Sequence, residues 1–516
     1  MPIGEQFFAR LRARAMIYVD KTEQIYGLMN TGAQLFLSRP RRFGKSLLVT
    51  TLKEIYQGNK ALFQGLWIED KLDWEPHPVL LINFNDLDYR EQSLAQALTK
   101  HMDDLAREHQ ITLIADEYKE KFRELIQKLS AHGEVVLLID EYDKPITDLL
   151  ENEQKTQEHV AVLKNFYSVL KSVEAEALIF TFITGVSKYG KISIFSDLNN
   201  LLDITMDRRF ATLLGYTQTE LEHYFADYLI RLAQTYAVSH AELIQQIAFW
   251  YDGYSWDGDH RVYVPFSTLV FLEQQNFANH WFATGTPTFL IKLLHRHGIP
   301  AYDLEMLQAD STLLESADVH NMSALSLLFQ TGYLTVKQVH KSLMGDSYEL
   351  GYPNYEVTRS FQQHLLADYL NQNIDVVRSS LLNKLQQMLS AQNLDGFITI
   401  FQAVFANIPS HLFLAQEAYF HSVVYLVLKL LGFAVYAERP TNLGRIDAVL
   451  EMPQLVYVLE FKMSSAEVAL QQIRDRQYAQ SFADGDRPVI LIGIAFDADA
   501  RNIVDWKHAS YDKVTR

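Results

Sequence analysis

The chain has 516 residues, 48% of them apolar and 21% charged, which is more than one hydrophobic core can use and excludes a disordered polypeptide. A net charge of −17 excludes a broad nucleic-acid-coating surface, because counterion release needs many clustered Lys and Arg, so any nucleic-acid site is local. The lack of cysteine excludes disulfides, thiolate zinc sites and a Cys nucleophile, and it fits a reducing, cytoplasmic setting.

The N-terminus, Met1-Pro2-Ile3-Gly4-Glu5, lacks the charged-then-apolar plan of a signal peptide. Asp20-Lys21-Thr22-Glu23 opens a helical stretch, and Asp20 with Glu23 has the spacing of a capping box. The apolar run Gln34-Leu35-Phe36-Leu37 then leads into Ser38-Arg39-Pro40-Arg41-Arg42-Phe43-Gly44-Lys45-Ser46. Helical spacing follows at Leu47, Leu48, Leu52, Ile55 and Tyr56. Strand, loop ending in Gly-Lys-Ser, then helix is the order of a phosphate-binding P-loop. Backbone N–H groups of the loop at Gly44 and the positive end of the helix hold an anion, Lys45 adds a point charge between outer phosphates, and Ser46 can ligate Mg²⁺. The first glycine of the usual pattern falls at Arg39. Arg39, Arg41 and Arg42 thus put charge where glycine flexibility is usual, which favours holding phosphates and says little about turnover.

Further along, Val79 to Phe84 is strand-like and a long charged helical region runs to about Ser130. Val135-Val136-Leu137-Leu138-Ile139 is a continuous apolar run ending in Asp140-Glu141; Ala177 to Thr184 is another, and Leu201 to Thr205 a shorter one. Continuous apolar strands between helical patterns indicate a parallel sheet covered on both faces, with ligands at its C-terminal edge. Asp140 can hold Mg²⁺ through water and Glu141 can orient or deprotonate an attacking water. Thr184 sits where a γ-phosphate sensor would project, or it satisfies a strand end. Arg208 and Arg209 are candidate arginine fingers in cis or trans, or solvated surface residues.

From Tyr216 to Gly298 the pattern is helical and aromatic, and the aromatics from Trp250 to Trp256 read as core or lid packing. His295 and His297, two apart in a helical stretch, point away from each other and make no paired metal site. Residues 320 to 370 read as helix, two strands and helix, similar to the second half of a winged helix, and a mixed helical connector runs to about Pro409. The nearest approach to a membrane span, Val423 to Tyr436, is broken by Lys429 and Gly432, so no membrane association is expected. The last hundred residues read αβββαβ, with a helix over Leu414 to Leu431, strands at Phe433 to Glu438, Arg445 to Leu450 and Leu455 to Phe461, a helix from about Ser465 to Phe482 and a strand at Val489 to Ile494.

Residues 1 to about 380 resemble the AAA-ATPase-like domain of a bacterial P-loop family. The likeness lies in Tyr18-Val19-Asp20-Lys21-Thr22, the Arg39 to Ser46 loop, Leu138-Ile139-Asp140-Glu141-Tyr142-Asp143, Leu198 to Thr205 and Tyr251-Asp252-Gly253-Tyr254. That family accepts the irregular loop. The resemblance implies ATP binding by Gly44, Lys45 and Ser46, and hydrolysis through Asp140 and Glu141.

A second constellation is Gly444-Arg445-Ile446-Asp447 followed by Tyr457-Val458-Leu459-Glu460-Phe461-Lys462. Residues two apart in a strand share a face, so Glu460 and Lys462 project together, and pairing with the Asp447 strand would bring all three together. Two carboxylates at ~4 Å repel by about 4 kcal/mol at an effective dielectric near 20, a cost that a cation or a raised pKa removes. Mg²⁺ or Mn²⁺ on carboxylates with a lysine polarising a water suits phosphodiester hydrolysis. Within the αβββαβ order this resembles the PD-(D/E)XK nuclease fold, over about Leu394 to Arg516. The resemblance implies that Asp447 and Glu460 bind metal, that Lys462 activates the nucleophile, that Glu417 or His421 adds a ligand and that Gln472 lies near the substrate. Ile446 replaces the proline of the family's name.

The expected fold class is α/β: a P-loop NTPase parallel sheet over 1–215, a helical lid and winged-helix-like segment over 216–380, and a helical connector with the nuclease-like domain over 381–516. The expected function is an ATP-binding module gating a Mg²⁺-dependent nuclease, on DNA in preference to RNA, in a cytoplasmic protein compatible with oligomerisation. Defence against foreign nucleic acid would suit such a pairing. The alternative is a switch or scaffold ATPase whose C-terminal domain binds without cutting.

Overall fold

Five apolar runs of the first half form one parallel sheet: β1 (Gln34–Ser38), β2 (Val79–Asn83), β3 (Val135–Asp140), β4 (Leu178–Gly185) and β5 (Leu202–Asp203), in the order β2-β3-β4-β1-β5. The computed structural model describes residues 1–188, 194–195, 198, 200–281, 288–297, 299–311, 314, 323–369, 381–406, 417–431, 434–441, 444–452, 454–482 and 487–511. Every residue of β1 and of β3 is buried, which is why neither run alternates apolar with polar. The charged stretch before Ser130 resolves into two amphipathic helices, Leu94–Glu108 and Tyr118–Ser130, whose Leu98, Met102, Phe122 and Leu125 enter the core beside β2 and β3.

The Asp20 to Glu23 spacing is not a capping box. The helix Thr22–Met29 begins after Lys21, so Glu23 is its second residue and falls one short of the position that reaches back. Asp20 instead accepts the N–H and hydroxyl of Thr22 and the N–H of Trp67, fixing the chain's entry to that helix.

Contacts gather the chain into two units, residues 1–284 with 306–357 and residues 285–305 with 358–516. In the first, the helices Gln218–Tyr224, Ala226–Tyr236, His240–Tyr251 and Pro265–Gln274 enclose a core around Leu221, Phe225, Ile247 and Tyr251. The winged-helix-like segment has three antiparallel strands where two were expected: β6 (Leu307–Asp310) joins β7 (Thr335–His340) and β8 (Ser347–Gly351) in the order β6-β8-β7. β6 has only 4 residues, too few for a periodicity to show. Gly253 is required where this segment meets the helices: its φ is +114°, and a Cβ there would lie 2.2 Å from the Pro353 carbonyl oxygen.

In the second unit, β9 (Ala434–Thr441), β10 (Gly444–Glu451), β11 (Val456–Lys462), β12 (Val489–Asp497) and β13 (Asn502–Ser510) form a sheet ordered β13-β12-β11-β10-β9. Only the β11–β12 pair is parallel, crossed by the helix Ala466–Asp475. β13 lies beyond the last strand that the apolar pattern marks. β13 escaped it because most of its residues are at least partly exposed and polar, an edge strand with little apolar signal. Residues 285–305, read from sequence with the lid, belong here: the Ala301 N–H donates to the Ser422 hydroxyl, and Glu305 pairs with Lys429 at 2.7 Å.

Glu356, 0% exposed, is one of the buried acids of the first unit. Its Oε1 accepts the N–H groups of His280 (2.5 Å) and Trp281 (2.7 Å) and the Ser267 hydroxyl (3.0 Å), while Oε2 has no hydrogen-bond partner among the described residues. Burial lifts its pKa to about 7 against the pull of those donors. The folded state therefore holds this proton more tightly than the unfolded chain does. Its contribution to stability is complete below the ordinary carboxyl pKa and is lost as pH rises through 7, by ~3 kcal/mol in all. Denaturant titrations of Glu356→Gln from pH 5 to 8 should show that much less pH dependence than the parent; equal slopes would refute the assignment.

Candidate functional site

Strand β1 ends at Ser38, and the loop Arg39 to Gly44 carries the chain from the sheet into the helix Lys45–Tyr56. Its shape is set by packing. Arg39, 1% exposed, lies under the loop and donates to the carbonyls of Ser38 (2.9 Å), Thr205 (2.8 Å) and Phe210 (3.2 Å), with its guanidinium 3.9 Å from the Trp256 ring centre. Burial lowers its pKa to about 9, which still leaves it cationic at neutral pH. Phe43 meets Tyr254 and Trp256 edge to face at 4.8 and 5.5 Å. Trp281 Nε1–H donates to the Arg41 carbonyl, and a Cβ on Gly332 would come within 2.7 Å of Pro40. The aromatics near Trp256 thus pack as lid, as the sequence suggested.

Two residues turn the loop outward. Gly44 has φ +91° and Arg42 φ +73°, the latter stacked 4.4 Å above Phe266. A cavity of about 300 Å³ opens over the helix N-terminus, lined by Arg41, Arg42, Gly44, Lys45, Ser46 and Glu141 on one side and by apolar residues including Ile17, Leu213, Tyr216 and Leu269 on the other. Lys45 is buried, and its ammonium donates to the carbonyls of Arg39 (2.9 Å) and Pro40 (3.0 Å). Burial lowers its pKa, opposed chiefly by Glu141 and Asp140.

Because β3 and β1 are parallel and separated only by β4, Asp140 and Glu141 reach the same sheet edge as the loop. Asp140 is 2% exposed; burial raises its pKa to about 6 against the Ser46 hydroxyl, and its Oδ1 has no partner among the described residues. A buried carboxylate oxygen without a donor, beside a hydroxyl, fits a hydrated divalent cation. Glu141 takes a left-handed φ of +54° at the strand end, a strained conformation for a non-glycine residue, and lines the cavity.

Thr184 lies elsewhere. Its hydroxyl donates to the Leu37 carbonyl across the β1–β4 pair at 2.8 Å, and it is not among the cavity-lining residues. Arg208 pairs with Asp259 at 3.0 Å and Arg209 with Asp207 at 2.6 Å, both well exposed. Sequence reasoning missed Asp143, which accepts the N–H groups of Val186 and Ser187 and the Ser187 hydroxyl and so shapes the turn after β4. It also missed Lys188, buried against Asp203 at 2.9 Å, with its N–H on Gln330. The available signal was Gly185, where a Cβ would lie 2.4 Å from Asp143 Oδ1.

In the second unit, antiparallel pairing of Ala448 with Leu459 sets Asp447 beside Glu460, and Asp447 Oδ2 accepts the Phe461 N–H at 2.8 Å. Glu460 is 0% exposed; burial and then Asp447 raise its pKa to about 8, against the lowering effect of Lys462. Its Oε1 accepts from Lys462 Nζ at 3.1 Å and from the Gln472 amide, while Oε2 has no partner among the described residues. Gln472 reaches it because Gly493 lets the helix Ala466–Asp475 lie against β12: a Cβ there would sit 2.3 Å from the Ala466 carbonyl oxygen. His421 Nε2 is 3.7 Å from Asp447 Oδ2, and its ring packs on Phe461. The side chain of Glu417, the other ligand considered, lies outside the described residues; its backbone opens the helix Glu417–Leu430. The structure therefore brings together Asp447, Glu460, Lys462, Gln472 and His421.

A family model described as a predicted AAA-ATPase matches residues 2–195, and one described as the PD-(D/E)XK nuclease superfamily matches residues 415–506. A protein of Azotobacter chroococcum mcd 1, named only as an uncharacterized protein in the vnfD 5' region, is 39% identical over 523 residues, covering 98% of each chain. The chain belongs to that protein's family, a predicted AAA-ATPase domain followed by a PD-(D/E)XK nuclease superfamily domain. The ATPase match takes in the Arg39 to Ser46 loop and Asp140-Glu141, and the nuclease match takes in His421 through Gln472. Among the described residues no helix is long and apolar enough to cross a membrane.

Arg39 is the residue on which the ATPase-domain loop rests. Replacing it by Ala removes the hydrogen bonds to three carbonyls, of which that of Phe210 keeps the Leu213 N–H, and empties the space under Trp256, so Arg39→Ala should cost about 3–5 kcal/mol in chemical denaturation. Arg39→Lys should recover less than half of the loss, since an ammonium cannot span the same carbonyls and stack. A loss under ~1 kcal/mol would show that the loop is held otherwise.

Proposed function

We propose that the ATPase domain binds ATP with Mg²⁺ as a regulatory ligand and that the nuclease domain cleaves phosphodiesters with a divalent cation, Mg²⁺ or Mn²⁺, taking DNA in preference to RNA. The observation that carries the reading is the meeting of Asp447, Glu460 and Lys462 on two paired strands, with one oxygen of the fully buried Glu460 left without a donor. An orphaned buried carboxylate oxygen costs free energy that a bound cation removes. Asp447 and Glu460 supply hard oxygen donors of the type such cations take, with the buried His421 Nε2 3.7 Å from Asp447 Oδ2.

When bound, the cation would supply Lewis acidity to the phosphate and a more acidic water. The protein's own groups do the rest. The Phe461 N–H fixes the Asp447 carboxylate, and the Gln472 amide and Lys462 together fix Glu460, so neither acid needs to reorganise on binding. Lys462 Nζ, the only one of these groups that carries fixed positive charge, stabilises the negative charge that builds on the attacking oxygen.

In the ATPase domain, Lys45 and the helix N-terminus hold the outer phosphates, Ser46 and Asp140 hold the hydrated Mg²⁺, and Glu141 orients water. The apolar wall beyond the loop accommodates the base. Thr184, whose proton is committed to the Leu37 carbonyl, is left as a support of the β1–β4 pair in this scheme.

The test is cleavage of plasmid and single-stranded DNA, with RNA in parallel, in Mg²⁺ or Mn²⁺. Asp447→Ala, Glu460→Gln and Lys462→Ala should each lower the rate by ~10²–10⁴-fold while leaving ATP binding intact. Lys45→Ala should abolish ATP binding without removing the metal-dependent cleavage chemistry. Absence of cleavage by the parent protein on all substrates, with or without ATP, would overturn the nuclease reading.

A further inference from the structure

The three arginines of the loop, equivalent in the sequence, are separated by the fold. Arg39 is buried beneath the loop with both terminal nitrogens donating to backbone carbonyls. Arg42 is half-buried and stacked on Phe266. Arg41 alone is exposed, lines the cavity with Lys45 and Glu141, and makes no ion pair or side-chain hydrogen bond among the described residues. Its carbonyl accepts the Trp281 indole N–H at 3.2 Å, which anchors the backbone from which the guanidinium extends.

We propose that Arg41 recognises the terminal phosphate of the bound nucleotide in cis, making the site selective for a triphosphate over a diphosphate. The assignment rests on the nucleotide reading above. Lys45 is held by the carbonyls of Arg39 and Pro40, so the loop folds back over the ammonium and the next residue along it is Arg41. The two cations share one small volume: besides burial, Arg41 is among the groups that depress the pKa of Lys45, and it also lowers that of Arg42. Glu141 and Asp140 face Lys45, whereas Arg41 makes no ion pair among the described residues, and a polyanion charged on its outermost phosphate supplies the counter-charge it lacks. A guanidinium also offers paired N–H groups that match two phosphoryl oxygens, which the single ammonium of Lys45 does not. Arg208 and Arg209, the fingers suggested by sequence, are tied to Asp259 and Asp207, so within this unit Arg41 is the better placed cation.

The experiment is calorimetric titration of the full chain with ATP and with ADP, both in Mg²⁺, for the parent and for Arg41→Ala, Arg41→Lys and Lys45→Ala. Arg41→Ala should weaken ATP ~10–100-fold and ADP no more than ~3-fold, collapsing the selectivity, and Arg41→Lys should recover part of it. Lys45→Ala should weaken both nucleotides. Arg41 is exposed, so its variants should unfold at the parent's denaturant midpoint, which separates a lost contact from a lost fold. Equal weakening of ATP and ADP by Arg41→Ala, or none, overturns the role of Arg41 while the nucleotide site stands. Failure of the parent to bind either nucleotide overturns the nucleotide reading, and this one with it.

Discussion

A buried guanidinium holds the first unit's chemistry in shape. Where the common phosphate-binding loop relies on glycine, this chain places Arg39 beneath the loop, hydrogen-bonded to three carbonyls and roofed by Trp256. The cost of burying that charge is offset only if all of these contacts are present together. Phe43 on Tyr254 and Trp256, Trp281 on Arg41 and Gly332 against Pro40 complete the clamp. The loop's geometry is thus inherited largely from residues more than 160 positions away, and the segment around Trp256 and Trp281 is as much a part of the site as the loop.

Two unrelated sheets present the same physical arrangement. In each, an apolar strand ends in an acid that burial has pushed toward the neutral form, to about 6 for Asp140 and about 8 for Glu460. Each acid has one oxygen paired close to a cationic or hydroxyl group and the other left without a donor among the described residues. Such sites are poorly satisfied alone and well satisfied by a divalent cation. They differ in support: Glu460 is gripped by two side chains, whereas Asp140 is held by the Ser46 hydroxyl and the Glu141 N–H.

Much of this was legible because apolar strands announce themselves and because acids that close an apolar strand stand out against it. Asp140-Glu141 and Glu460-x-Lys462 stand out in that way, whereas the pairing that sets Asp447 beside Glu460 is a condition in the sequence that the strand register meets. Other features gave no local signal. β13 is polar and lies at an edge, β6 is four residues long, and Asp20 has the spacing of a capping box but the wrong helix start. Asp143 and Lys188 reveal their roles only through the turn they hold, since the residues they touch are distant in sequence.

The sequence by itself determined the order of the two domains, the parallel character of the first sheet and the identity of the acids and lysines at both sites, because each depends on periodicity or on short spacing. Only the tertiary structure decided what each arginine of the loop does, where the Thr184 proton goes and how Gln472 reaches Glu460. Those outcomes depend on which distant carbonyl, ring or carboxylate arrives within hydrogen-bonding range, and no pattern along a chain encodes that directly. The loop from Ser38 to Ser46, three arginines alike on paper, becomes one buried support, one stacked side chain and one charge facing the cavity.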